Sequence, residues 1–308
     1  MNYFDLHCDT ISECFDQKKS LWSNDLHVSL DKNTTEYAQV FAIWIDDKLR
    51  GDDAFNRFLT ISDFFKDQLQ QSPIAIKQCK NSHDIDAAME EKSVAAILSV
   101  EGGAALGGKI ERLEELYARG VRMMTLVWNG ECELGTGSVA QHQSGLTDFG
   151  KQVVNKMQQL GMIVDVSHLS DEGFWDVAEI SKKPFIASHS NARALCNHPR
   201  NLTDEQLKYL FSHNGIVGIN FYHRFLSTEQ KPSISSAIDH IEYMLSIGGA
   251  KNICIGADMD GAELPSDFGG IGAIENLVER MHKRNFTEQQ IDDIMFSNAA
   301  RFFNNYGL

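Results

Sequence analysis

Tyr3-Phe4-Asp5-Leu6-His7-Cys8-Asp9 is a short apolar run that ends in two side chains able to ligate a metal. Residues 3–6 read as a strand, and side chains alternate along a strand, so His7 and Asp9 at i and i+2 project to one face where the strand ends. An imidazole nitrogen beside a carboxylate oxygen suits a borderline ion such as zinc. His-x-Asp alone is a common spacing. Its weight comes from similar strand-then-ligand endings further along.

Seven more apolar, β-branched-rich runs follow, at 38–45, 94–100, 121–128, 162–167, 184–188, 216–222 and 252–257, and runs this apolar read as parallel strands covered on both faces. Helix signals fill the intervals. Residues 52–70 place Phe55, Phe58, Leu59, Phe64 and Phe65 at near-helical spacing. Residues 109–119 and 149–160 read as helices closed by Gly120 and Gly161. Thr203-x-x-Gln206 and Thr287-x-x-Gln290 have the form of capping boxes. Eight strand–helix units without a low-complexity linker predict one closed (β/α)8 TIM barrel over residues 1–308. A doubly wound open sheet is the alternative. Against it, no Gly-x-Gly-x-x-Gly follows the first strand.

Composition narrows the function. The 28 basic and 43 acidic residues give a formal charge of -15, which repels nucleic acid and anionic lipid, so neither is expected as a partner. No apolar run approaches the roughly 20 residues needed to span a bilayer. The start of the chain shows no basic region and no cleavable signal, which predicts a cytoplasmic protein. The cysteines at 8, 14, 79, 132, 196 and 254 form no Cys-x-x-Cys pair, in keeping with reduced thiols.

In a parallel barrel the chemistry gathers at the C-terminal ends of the strands. There the chain places His7 and Asp9 (first strand), Glu101 (third), His168 (fifth), His189 (sixth) and Asp258 with Asp260 (eighth). Such a set suffices for two metal ions sharing a carboxylate. Each histidine taken singly could instead be a buried, hydrogen-bonded side chain; coincidence at five strand ends is a weaker explanation. His27, His83, His198, His213, His223, His240 and His282 read as solvated, and Cys8 as packing.

Six segments together resemble the membrane dipeptidase (renal dipeptidase) family, metallopeptidases of the amidohydrolase superfamily. They are Asp5-Leu6-His7-Cys8-Asp9, Ser99-Val100-Glu101-Gly102-Gly103, Asp165-Val166-Ser167-His168, Ala187-Ser188-His189-Ser190, Pro199-Arg200-Asn201-Leu202 and Gly256-Ala257-Asp258-Met259-Asp260-Gly261. The resemblance implies two zinc ions per chain, one on His7 and Asp9 and one on His168 and His189, with Glu101 bridging both. It implies that Arg200 holds the substrate's terminal carboxylate and that Asp258 handles the proton of the attacking, metal-bridging water. A guanidinium fork suits a carboxylate, and a metal-bound water is acidic enough to attack near neutral pH. Asp260, in a turn led by Gly261, is expected to bond loop backbone instead.

The chain departs from the family at one point. Trp128, followed by Asn129, stands where mammalian members carry a substrate-contacting His. Asn129 could donate to the tetrahedral intermediate, His142 could swing in from the next loop, or Trp128 could merely wall the pocket with zinc alone polarising the carbonyl. Tyr222 reads equally as pocket lining or as core. The function expected is a zinc dipeptidase acting on dipeptides with a free C-terminal carboxylate, L,D as well as L,L, in a chain that can form a homodimer as family members tend to. The competing readings are a metal-dependent hydrolase of another amide, lactam or ester, and a catalytically silent ligand-binding barrel.

Overall fold

The computed structural model describes residues 2–33, 36–228 and 233–307. Eight parallel strands follow one another around a closed barrel: β1 (Asn2–Cys8), β2 (Glu36–Trp44), β3 (Val94–Glu101), β4 (Val121–Thr125), β5 (Ile163–Asp165), β6 (Ile186–Ala187), β7 (Ile216–Ile219) and β8 (Ile253–Ile255). Each pairs with the next, and Asp5 of β1 opposite Ile255 of β8 closes the ring. All eight apolar runs became strands, as expected. Several regular ladders are shorter than the runs, because near the mouth the strands splay and continue through single hydrogen bonds such as Leu126 N to Asp165 O (3.3 Å) and Val166 N to Ile186 O (2.8 Å). The strand Ile76–Gln78 beside the start of β3, and the hairpin Glu131–Cys132 with Gly135–Thr136, are too short to leave a hydrophobic period.

Alternation along the strands sorts the core into two layers. One cluster takes a residue or two from every strand (Phe4 and Leu6, Val40, Ile97, Met123, Ile163, Ile186, Ile216, Cys254) together with Phe302, Phe303 and Tyr306 of the C-terminal helix Asn298–Tyr306. This is the barrel interior, plugged from below by that helix, whose Tyr306 hydroxyl donates to Met162 O at 2.7 Å. The larger cluster holds the outward-facing residues against the helices. Truncating an interior side chain such as Ile97 to Ala should cost about 2–5 kcal/mol.

The helices stand close to their expected bounds. Gly51–Gln71 and Asp148–Leu160 are helical, the latter ended by Gly161 at φ 82°. The helix expected from residue 109 becomes regular at Arg112. Both capping boxes are formed, at Thr203 with Gln206 and at Thr287 with Gln290. Among the described residues no helix is long and apolar enough to cross a membrane.

Candidate metal centre and cleft

Glu101, the last residue of β3 and 3 % exposed, is the hub of the barrel mouth. Its Oε1 lies 2.9 Å from His168 Nε2, 3.4 Å from His189 Nε2 and 3.8 Å from His7 Nε2. His7 Nε2 in turn lies 3.2 Å from Asp9 Oδ2 and 3.9 Å from Asp258 Oδ1. Two triads, His7–Glu101–His189 and His7–Asp9–Asp258, each present ligand atoms all within 4.8 Å of one another. Residues from five strand ends, some 250 positions apart in sequence, thus meet in one buried space.

Local backbone devices aim these side chains. Phe4 and Leu6 face the barrel interior, so strict alternation would turn His7 outward; the pairing of β1 with β2 shifts register between Asp5 and Cys8. That irregularity sends Cys8 into the outer core and His7 into the mouth. His168 (φ 70°), Asp258 (φ 61°) and Asp260 (φ 68°) occupy the left-handed region, which costs a non-glycine residue on the order of 1–3 kcal/mol and clusters at functional sites. Gly261 is required: a Cβ there would stand 2.0 Å from Asp9 Oδ2 and 2.7 Å from Asp258 Oδ1.

A ring of hydrogen bonds holds the ligands from behind. Asp165, fully buried at the end of β5, accepts from Thr125 Oγ1 (2.5 Å), Ser167 N (3.0 Å), Ser188 N (2.9 Å) and Ser188 Oγ (2.6 Å). Ser188 Oγ then contacts His189 Nδ1 at 2.7 Å, which leaves Nε2 for the mouth. Asn129 Oδ1 meets His168 Nδ1 at 3.0 Å in the same manner. Asn220 Nδ2 donates to Asp258 Oδ2 at 3.0 Å. Asp260 turns away from this centre: it accepts from His27 N (2.7 Å), Val28 N (3.2 Å) and Thr10 Oγ1 (2.6 Å), tying down the loop before β2.

The electrostatics ask for a cation. Burial, the Asp9 carboxylate and the Asp258 carboxylate push Glu101 well above the usual carboxylate range, although His7 and Arg200 oppose them. Burial works against charge on His7, yet Glu101, Asp9 and Asp258 outweigh it and raise the imidazole to about 10. Burial, Arg200 and His7 hold His168 well below its ordinary value, and burial, His7, Arg200 and His168 do so for His189. Both imidazoles are therefore neutral, the state that ligates metal. His189 Nε2 and Asp9 Oδ1 are buried with no hydrogen-bond partner, an expensive arrangement unless an ion completes it. The residues present fit a metal.

Above the centre opens a cleft of about 400 Å³ whose walls include Trp44, Trp128, Asn129, Tyr222, Phe225 and Glu263. Trp128 packs edge-on against Trp44 with centroids 5.0 Å apart, and Tyr222 likewise against Phe225 at 4.7 Å. Arg200 is 3 % exposed, with its guanidinium carbon 5.3 Å from the Phe225 ring centroid. Its Nη2 donates to His189 O at 3.4 Å, its Nε has no partner, and among the described residues no carboxylate lies within 4.0 Å of it. His142 is exposed in the 138–145 loop and is not among the residues that line the cleft. His240 corrects the expectation that it is solvated: it is fully buried, bonded to Ala192 N and Leu226 O. His27 is also engaged, 3.0 Å from Asp260 Oδ1. Sequence reasoning missed Trp44, Phe225, Asn220 and the role of Asp165. The last had a signal, since Asp165 precedes Ser167 as Asp5 precedes His7, and both carboxylates accept from the backbone N–H two residues on.

A parallel eight-stranded barrel with buried imidazoles and carboxylates converging at its C-terminal mouth is the arrangement of a metal-dependent hydrolase. Within that class the chain belongs to the membrane dipeptidase family (peptidase family M19), whose model matches residues 1–306. It is a metallo-dipeptidase, with a metal cofactor and small peptides as substrates. An uncharacterized protein in the pqqA 5′ region of Klebsiella pneumoniae is 30 % identical over 250 residues, 78 % of this chain and 92 % of that one. The fold is shared with a Rhodobacter sphaeroides metallopeptidase liganded with a phosphinate mimic of the dipeptide L-Ala-D-Ala (22 % identity, 98 % of each chain, TM-score 0.92). It is shared too with dipeptidase AC, a family M19 metallopeptidase (23 % identity, 100 % of this chain and 99 % of that one, TM-score 0.93).

Proposed function

We propose that the enzyme uses two zinc ions, one held by His7 and Asp9 and the other by His168 and His189, with Glu101 shared, to hydrolyse dipeptides that carry a free C-terminal carboxylate. The observation that carries this reading is the single Glu101 oxygen ringed by three imidazole Nε2 atoms at 2.9, 3.4 and 3.8 Å. When bound, such ions acidify a water and polarise the scissile carbonyl. The chain's own residues do the rest. Arg200, a buried guanidinium with a free Nε, receives the terminal carboxylate. Asp258, with Oδ2 fixed by Asn220, keeps Oδ1 on the His7 side, where it takes a proton from the attacking water and passes it to the leaving amine.

The aromatic walls Trp128 and Tyr222 limit the cleft and exclude water. Asn129, bonded to His168 through Oδ1, orients that imidazole and has its amide nitrogen left for the tetrahedral intermediate. The L-Ala-D-Ala mimic bound by the Rhodobacter sphaeroides relative supports including L,D dipeptides among the substrates. Elemental analysis after zinc reconstitution tests the centre. Two zinc ions per chain are expected, and Glu101→Gln should weaken both sites together, because a neutral amide is a poor bridge between cations. Less than one ion per chain in the wild type contradicts the assignment.

A further inference from the structure

We propose that Asn220 is the positioning residue that holds Asp258 in its working orientation, an inference that rests on the role just given to Asp258. Asn220 follows β7 directly and is fully buried. Its side-chain amide uses both donors and one of its two acceptor sites. Nδ2 donates to Asp258 Oδ2 at 3.0 Å and to His189 O at 3.3 Å, while Oδ1 accepts from Tyr222 N at 2.6 Å. Its backbone is clamped as well: N donates to Asn191 Oδ1 (3.0 Å) and O accepts from Asn191 Nδ2 (2.8 Å).

One uncharged side chain therefore fixes three parts of the site: the carboxylate of strand eight, the peptide unit of the ligand His189, and the start of the wall that bears Tyr222. Among uncharged side chains only a primary amide offers two N–H donors, here for the carboxylate and for the His189 carbonyl, together with an acceptor for a backbone N–H. Asp258 itself stands in the left-handed region at φ 61°, and its carboxylate accepts from Asn220 Nδ2. Binding Oδ2 from behind leaves Oδ1, 3.9 Å from His7 Nε2, as the oxygen that faces the reacting groups. Arg200 Nη2 shares the His189 carbonyl with Asn220.

The test uses zinc-reconstituted enzyme on a free-acid dipeptide and compares Asn220→Ala and Asn220→Asp, each in the wild type and in Asp258→Asn. The Asp variant keeps an acceptor for Tyr222 N and loses the donor. With zinc content unchanged, kcat should fall about 10- to 100-fold, with KM moving less than about threefold. On the Asp258→Asn background the same changes should add less than about twofold, because the residue acts through that carboxylate. An unchanged kcat, or an equal loss on both backgrounds, overturns the proposal; should the Ala variant not fold, the Asp variant decides. A wild type without dipeptide turnover overturns the functional reading and this proposal with it. An active wild type with an unaffected Asn220→Asp overturns this proposal alone.

Discussion

Replacing Arg200 by Met should weaken catalysis without weakening the fold. Burial brings the guanidinium down from its ordinary 12.5 to about 10, even though Asp258, Glu101 and Asp165 favour its charge. At ~1.36 kcal/mol per tenfold change this is on the order of 3 kcal/mol against the charged form. For a base with a depressed pKa the cost is present at neutral pH and is relieved only as pH rises through about 10. Methionine removes the charge and keeps most of the packing on Phe225, so the variant should be as stable as wild type or more stable by roughly 1–3 kcal/mol. Activity moves the other way. A carboxylate received by Nε and one Nη makes two charge-assisted bonds of about 1.5–3 kcal/mol each, so kcat/KM should fall by roughly 10² to 10⁴. Arg200→Lys, which keeps the charge and loses the fork, should lose on the order of tenfold, mainly through KM. Urea unfolding with and without zinc measures the first effect, and turnover of a dipeptide and its C-terminal amide the second. If wild type cleaves the amide as well as the acid, or if Arg200→Met unfolds more readily, the reasoning is refuted.

Asp258→Asn should retain both zinc ions and lose about 10² to 10⁴ in kcat, whereas Asp260→Asn, acting on the His27–Val28 loop, should cost stability or a milder loss of rate. Loss of an ion with Asp258→Asn would make it a ligand, as its place in the His7–Asp9–Asp258 triad permits. Zinc uptake at pH 8 should expel about one proton from His7, raised to about 10 in the metal-free protein; calorimetry in two buffers of different ionisation enthalpy should therefore disagree, and equal heats would count against it. By the same shift, His7 stabilises the metal-free fold fully below pH 6.5 and loses that contribution as pH rises through about 10. Gly261→Ala, whose Cβ would meet Asp9 Oδ2 at 2.0 Å, should lower zinc affinity at least tenfold; unaltered zinc retention against a chelator would exclude the crowding argument.

Elements that repeat a physical pattern were legible in the sequence. Each apolar run buried on both faces became a barrel strand, and Thr203-x-x-Gln206 capped its helix because reciprocal bonding depends on four adjacent residues. The site residues were legible as a set because strand ends in a parallel barrel share one mouth. How each is aimed was not. The register shift that turns His7 inward depends on the pairing of β1 with a strand about thirty residues away. The left-handed backbone at His168 and Asp258 has no glycine to announce it. Asn220 and Asp165 each also accept from the backbone N–H two residues on, but the bonds by which they hold Asp258 and Ser188 reach more than twenty residues along the chain, which no local pattern announces. His240 looked like a solvated helix residue until both ring nitrogens met backbone from other segments.

The central claim, a two-zinc dipeptidase that recognises a free C-terminal carboxylate, is tested most directly by one experiment on zinc-reconstituted protein. Hydrolysis of L-Ala-L-Ala, L-Ala-D-Ala and their C-terminal amides is measured on a sample whose zinc content is determined in parallel. The account predicts two zinc ions per chain, turnover of the free acids, and little turnover of the amides. Protein that holds two zinc ions and cleaves neither free-acid dipeptide would contradict it.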